Sequence, residues 1–225
     1  MPVAIVKGRT GYLVVLFSLF LFLMILTSLS MGYIQIPLKM ILSTLYSELF
    51  SFSPDTVVHV NETFSAVIFD VRLPRILTCA AVGGALAVSG ALFQGILLNP
   101  LADPYTLGVS AGAGFGASMA ILLNLGAVFV SIPLFAFAGA CLTLLCVIFL
   151  SYSSSNPMAG LSSNNLILSG IIVAAILSAG ISFLKFVANE QVAVIIFWLM
   201  GSFASKTWMD FYTILCFLCS GTAIS

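Results

Sequence analysis

The sequence predicts an all-α protein: a polytopic transmembrane bundle of six spans plus one short re-entrant or interfacial helix. Three observations carry this reading. Of the 225 residues, 61% are hydrophobic and only 6% are charged, against about 25% charged residues in an ordinary soluble domain. Mean hydropathy is +1.23. Across residues 76–184, Asp103 is the single charged residue, and a nearly uncharged stretch of that length belongs in a bilayer. The same figures exclude a soluble globule and a disordered chain. With a net charge of zero and no basic cluster, a nucleic-acid partner is excluded as well.

A helix needs about 20 apolar residues to cross a bilayer. The first span is about 12–31, after Lys7 and Arg9; its apolar run is too long for a signal-peptide core, so it reads as retained. Residues 32–72 are the most polar stretch, with Lys39, Glu48, Asp55, His59, Glu62 and Asp70. Within them Ile36–Phe52 reads as a short interfacial helix. His59 stands alone and reads as a loop residue, and Asn61-Glu62-Thr63 matches a glycosylation sequon by pattern only. The later spans are about 73–98, 105–125, 127–150, 166–187 and 208–225. Between the last two, residues 191–203 are apolar but too few to cross, hence the short helix. The final span reaches Ser225 with no polar flank, so the sequence reads as a single transmembrane domain, 1–225, incomplete at its C-terminus.

Small residues recur every fourth position in three spans: Gly83, Ala87, Ala91 and Gly95; Gly108, Gly112 and Gly116; Gly170, Ala174, Ser178 and Ser182. In lipid, helices associate through close van der Waals contact of such faces, so each row predicts a packing surface. Between the second and third spans, Asn99-Pro100-Leu101-Ala102-Asp103-Pro104 reads as a structural turn. Pro100 ends one helix, Asp103 caps the next and Pro104 takes its first position. Arg72 and Arg75 bracket Leu73-Pro74 at the expected mouth of the second span. They either snorkel to the interface or grip carboxylates on a docking protein. The five cysteines lie in apolar runs and read as small hydrophobes, not as metal ligands, although Cys216 and Cys219 have the spacing of a metal or redox pair.

Arg72-Leu-Pro-Arg75, Gly83-Gly-Ala-Leu-Ala-Val-Ser-Gly90, Gln94, Asn99-Pro-Leu-Ala-Asp-Pro104 and Leu107-Gly-Val-Ser-Ala-Gly-Ala-Gly114 occur in a familiar order. Leu166-Ile-Leu-Ser-Gly-Ile171 and Phe197-Trp-Leu-Met-Gly-Ser202 follow. The set resembles the FecCD-like permeases, membrane subunits of ABC importers for iron-siderophores, haem and cobalamin. The resemblance implies roughly ten spans per subunit, more than this length holds. It also implies a dimer with a second permease subunit around a central path, cytoplasmic ATPase subunits and an extracytoplasmic substrate-binding protein. The ATPases would dock after the sixth span, beyond the end of this sequence, so the chain is not expected to transport alone. It implies a cell-membrane location with the N-terminus cytoplasmic. The distribution of Lys and Arg over the loops opposes that orientation; a partner for outer-face Arg72 and Arg75 would account for the conflict, and the resemblance favours the docking role.

The leading function is therefore a permease subunit, with ferric siderophores as cargo and haem or cobalamin as alternatives. No cofactor is expected. A membrane-embedded enzyme would need ionisable groups within the spans, which are nearly absent. A P-loop is missing too, so ATP hydrolysis falls to another chain. A non-transporting fragment or scaffold is the remaining reading; the arginine pair and the ordered motifs argue against it.

Overall fold

The structure, a computed structural model, describes residues 2–50, 62–100, 102–125, 131–153 and 162–224. Among them every regular element is helical. In chain order these are α1 (Pro2–Ser30), α2 (Leu38–Phe50), α3 (Glu62–Ala66), α4 (Leu73–Leu97), α5 (Val109–Leu122), α6 (Ser131–Ser153), α7 (Ser163–Val187), α8 (Val192–Met200) and α9 (Trp208–Ile224). A π-helical segment, Val67–Arg72, joins α3 to α4, and a 3₁₀ turn, Asn189–Gln191, precedes α8. Asp55, His59 and Asn61 of the sequon lie outside the described residues. The chain divides into two compact units: residues up to Gly83 with Phe203–Gly221, and Gly84–Ser202 with the last residues.

Among the described residues four helical stretches are long and apolar enough to cross a membrane: Gly11–Ser30, Thr63–Leu97, Ser131–Ser153 and Ser163–Val187. Three expected spans come out differently; the one expected at 208–225 is the 17-residue α9, Trp208–Ile224, and is not among these four. The span expected at 105–125 is a 14-residue helix, about 21 Å long against a hydrocarbon layer of about 30 Å. Gly108, left-handed at φ 74°, cuts it off from the preceding turn. The second span starts at Glu62 rather than near Leu73, because the helix runs on through the π segment.

In the first unit, Leu29, Ile36, Ile41 and Ile68 form a core with almost no exposed surface, flanked by Phe64, Phe69, Leu73 and Ile76. The link from α1 to α2 is pinned where the Ser30 hydroxyl donates to Ile36 O (3.0 Å) and where Met40 N and Ile41 N donate to Pro37 O.

In the second unit α5 is the buried centre; Gly112, Gly114, Gly116, Ala117, Ser118, Ala120 and Ile121 are all inside. α6 runs antiparallel to it, since Gly112 meets Gly139 and Thr143 while Gly116 meets Phe135. α7 runs parallel, with Gly170 against Thr106–Leu107 and Gly180 against Phe115. α8 descends beside α5 from Gln191, bonded to Asn124, to Leu199, packed at Gly114. The ten residues from Gly114 to Asn124 span about 15 Å, half the hydrocarbon layer. α8 is therefore too short to cross, as expected of a re-entrant or interfacial helix, and Gly201 at φ 72° turns the chain at its end. The five cysteines sit on exposed helix faces, so they present their side chains to the surroundings.

Candidate functional site: an arginine pair and a glycine-packed core

Arg72 and Arg75 were expected at the start of a helix. They lie inside a continuous one, because the π segment absorbs Pro74. Proline offers no N–H and its ring crowds the carbonyl four residues back. A π turn relieves the crowding by lengthening the bond to five residues, and Leu73 N donates to Ile68 O,. Pro74 is fully buried.

The two arginines have different surroundings. Arg72 is half-buried. Its guanidinium donates to Leu29 O in the last turn of α1 and to Ile34 O in the following link. The last four carbonyls of a helix have no partner within it, and a cation suits the negative end of the helix dipole. Arg72 thus caps α1 and ties down the link to α2. Gly32 makes room for it: a Cβ there would lie 2.6 Å from Nη2. Arg75 is exposed and, among the described residues, has no hydrogen bond or ion pair. Both line a recess of about 520 Å³ with Met31, Gly32, Tyr33 and Val71. Arg72 is thus engaged with the chain's own backbone, and Arg75 is not.

The turn between α4 and α5 closes in two steps. Leu98 adopts φ 48° and Asn99 N donates to Gln94 O (3.3 Å). This is the left-handed closure that satisfies end carbonyls, with Pro100 two residues later. Asp103 then accepts from Thr106 N at 2.8 Å, and the Thr106 hydroxyl donates to Asp103 O. That is N-cap geometry with Pro104 at the first position. The capped segment is one short turn, however, since left-handed Gly108 separates it from α5. Asp103→Ala should cost about 0.5–2 kcal/mol of stability. The unfolding midpoint checks that outcome.

The small-residue rows divide. Gly112 and Gly116 sit at the crossing of α5 with α6, where a Cβ on Gly112 would lie 2.6 Å from Gly139 O and one on Gly116 2.9 Å from the Phe135 carbonyl carbon. Gly108 is not helical, but it packs on α7 at Gly170 and Ala174. Ser178 is exposed instead of packed. The α4 row, Gly83, Ala87, Ala91 and Gly95, lies on an exposed side of this chain, and a Cβ on Gly83 or Gly95 would meet nothing within 4 Å. Spacing alone does not say which way a helix faces when its surroundings are as apolar as its packing partners. Gly114, Gly139 and Gly180 are close-approach sites that the four-residue rows overlooked. Two of them follow from the Gly112-x-Gly114-x-Gly116 run and its need for a glycine on a facing helix.

Residues 19–225 match the model of the FecCD transport family. An uncharacterised ABC transporter permease of Bacillus subtilis is 34% identical over 210 residues, 91% of this chain and 57% of that protein. A molybdate import permease of Haemophilus influenzae is 39% identical over 176 residues, 76% of this chain and 50% of its own. A solved metal-chelate type ABC transporter in an inward-facing conformation superposes with a TM-score of 0.68 at 33% identity, covering 92% of this chain and 58% of that one. Fold and likeness together define a multi-pass membrane protein with the fold of an ABC permease. The chain belongs to the FecCD transport family. It spans about half the length of the curated relatives it matches.

Proposed function

We propose that the protein is the membrane-spanning permease component of a binding-protein-dependent ABC importer for metal chelates, with ferric siderophores as cargo. The observation that carries the reading is the family match over residues 19–225. The named cargo class of the superposed transporter supports chelates in general. ATP hydrolysis is assigned to separate cytoplasmic ATPase subunits, and this component does no chemistry. A second permease subunit completes the path, and the N-terminus of α1 lies in the cytoplasm. In that orientation Arg75 stands on the outer face beside the recess and clasps a carboxylate of the extracytoplasmic binding protein. Arg72 holds the neighbouring link in place. A guanidinium suits this because its planar fork matches a carboxylate in two parallel hydrogen bonds.

The test is uptake into proteoliposomes holding the full-length permease with its second permease subunit and ATPases, with the binding protein outside and ATP inside. ATP-dependent accumulation of radiolabelled ferric siderophore, in excess over haem, cobalamin and molybdate, is the expected result. Preference for haem or cobalamin replaces the cargo and keeps the importer. Preference for molybdate, the anion in the Haemophilus relative's name, replaces the chelate class. No uptake of any of these sinks the importer reading in favour of a scaffold.

A further inference from the structure

The π turn ahead of Pro74 leaves one backbone acceptor without a helical partner. In an α-helix Phe69 O would accept from Leu73 N, but that N–H is committed to Ile68 O. In a π-helix it would accept from residue 74, and that residue is proline. A half-buried carbonyl left this way costs free energy unless a donor comes from elsewhere. The donor present is the indole of Trp208, whose Nε1 lies 3.0 Å from Phe69 O.

The indole is itself held in place. Trp208 is the first residue of α9, and the turn before it is closed by Asp210, whose carboxylate accepts from Thr207 N (2.9 Å) and from the Thr207 hydroxyl (3.0 Å). The ring stacks on Tyr212 with centroids 6.1 Å apart and meets Phe211 edge-on at 6.0 Å. The donor therefore approaches from a built helix start.

We infer that Trp208 is a positioning residue: its N–H replaces the one Pro74 withholds, and so fixes the π register of residues 67–72, at the end of which Arg72 is held. A π turn carries one residue more than an α turn, and one residue is about 100° of helix rotation. Relaxing the turn to α geometry would spread that angle over residues 67–72 and turn the upstream part of the segment against α4. Arg72, at the end of the segment, would be drawn out of line with Leu29 O and Ile34 O, and the link between α1 and α2 would loosen. The sequence signals were separate: a tryptophan at a helix start and a proline more than a hundred positions earlier. Only the structure brings them together.

The experiment is amide hydrogen exchange on the protein in lipid nanodiscs. Trp208→Phe keeps an aromatic ring beside Phe211 and Tyr212 and removes the donor. Exchange should quicken about tenfold across residues 67–76 and in the 31–36 link, the order expected for losing one hydrogen bond to a buried acceptor, with α5–α7 unchanged. Pro74→Ala restores a backbone donor at the turn. In that background Trp208→Phe should no longer change exchange at 67–76. Unchanged exchange in the single variant overturns the inference. So does an increase spread over all helices, or a failure of Pro74→Ala to remove the effect. No cargo or partner enters the measurement, so its failure is distinguishable from failure of the importer reading.

Discussion

Gly116→Leu should abolish folding of the second unit, whereas Gly83→Leu and Gly95→Leu should leave this chain close to its original stability. At Gly116 the first added carbon runs into the Phe135 backbone carbonyl, with Gly139 Cα only 3.4 Å away. Backbone on a facing helix cannot rotate aside as a side chain can, so α5 and α6 must separate. Overpacking a tight core costs typically about 1–3 kcal/mol, and more when backbone has to move. Here the loss reaches α7 and α8 as well, since both pack on α5. A cost at or above about 3 kcal/mol is a large part of the roughly 5–15 kcal/mol that holds a protein folded. Gly83 and Gly95 carry the same residue type at the same spacing and meet nothing within 4 Å. Monodisperse yield in detergent and the unfolding midpoint read the contrast. Equal losses at Gly83 and Gly116 would mean that small residues matter through local helix conformation and not through close approach.

That contrast marks where sequence reading stops. The all-helical membrane class and the long helices α1, α6 and α7 follow from hydropathy, because lipid demands an unbroken apolar run whatever the packing. The short α8 was legible for the complementary reason: 191–203 is too short to cross, and Gly201 ends it. The shortness of α5 was not legible, since its limits are set by left-handed Gly108 and Asn124, and hydropathy carries no record of φ. Nor was the facing of α4. An apolar solvent removes the contrast by which a buried face is told from an exposed one, so the Gly83 row looked the same as the Gly112 row. At the arginine pair the apolar run pointed to a span starting near Leu73, and the helix instead runs on upstream through a π turn. Arg72 and Arg75 looked equivalent because their difference depends on Leu29 and Ile34, roughly forty residues upstream.

The separation of the two arginines gives the functional prediction with the largest effect. Under the proposed docking role, Arg75→Glu weakens the complex with the binding protein by about 2–5 kcal/mol, the cost of breaking a charged pair that docking desolvates. A pair left at a wet rim would lose less than about 1 kcal/mol. The wild-type affinity should fall as salt rises, because charges more than roughly 8–10 Å apart in solvent are screened, and the variant should show a shallower dependence. Arg72→Glu should act on the fold instead. It removes the donor to Leu29 O and Ile34 O and places a carboxylate beside two carbonyls at the negative end of α1. Leaving such acceptors unpaired costs about 1–3 kcal/mol each, so the unfolding midpoint drops before docking is measured. Binding-protein titrations at two ionic strengths, paired with unfolding curves for both variants, separate the roles. If Arg75→Glu binds as tightly as wild type at low salt, the outer-face docking role is lost. If Arg72→Glu keeps its stability and loses affinity, the two residues exchange roles, and the cap on α1 is not what holds Arg72 in place.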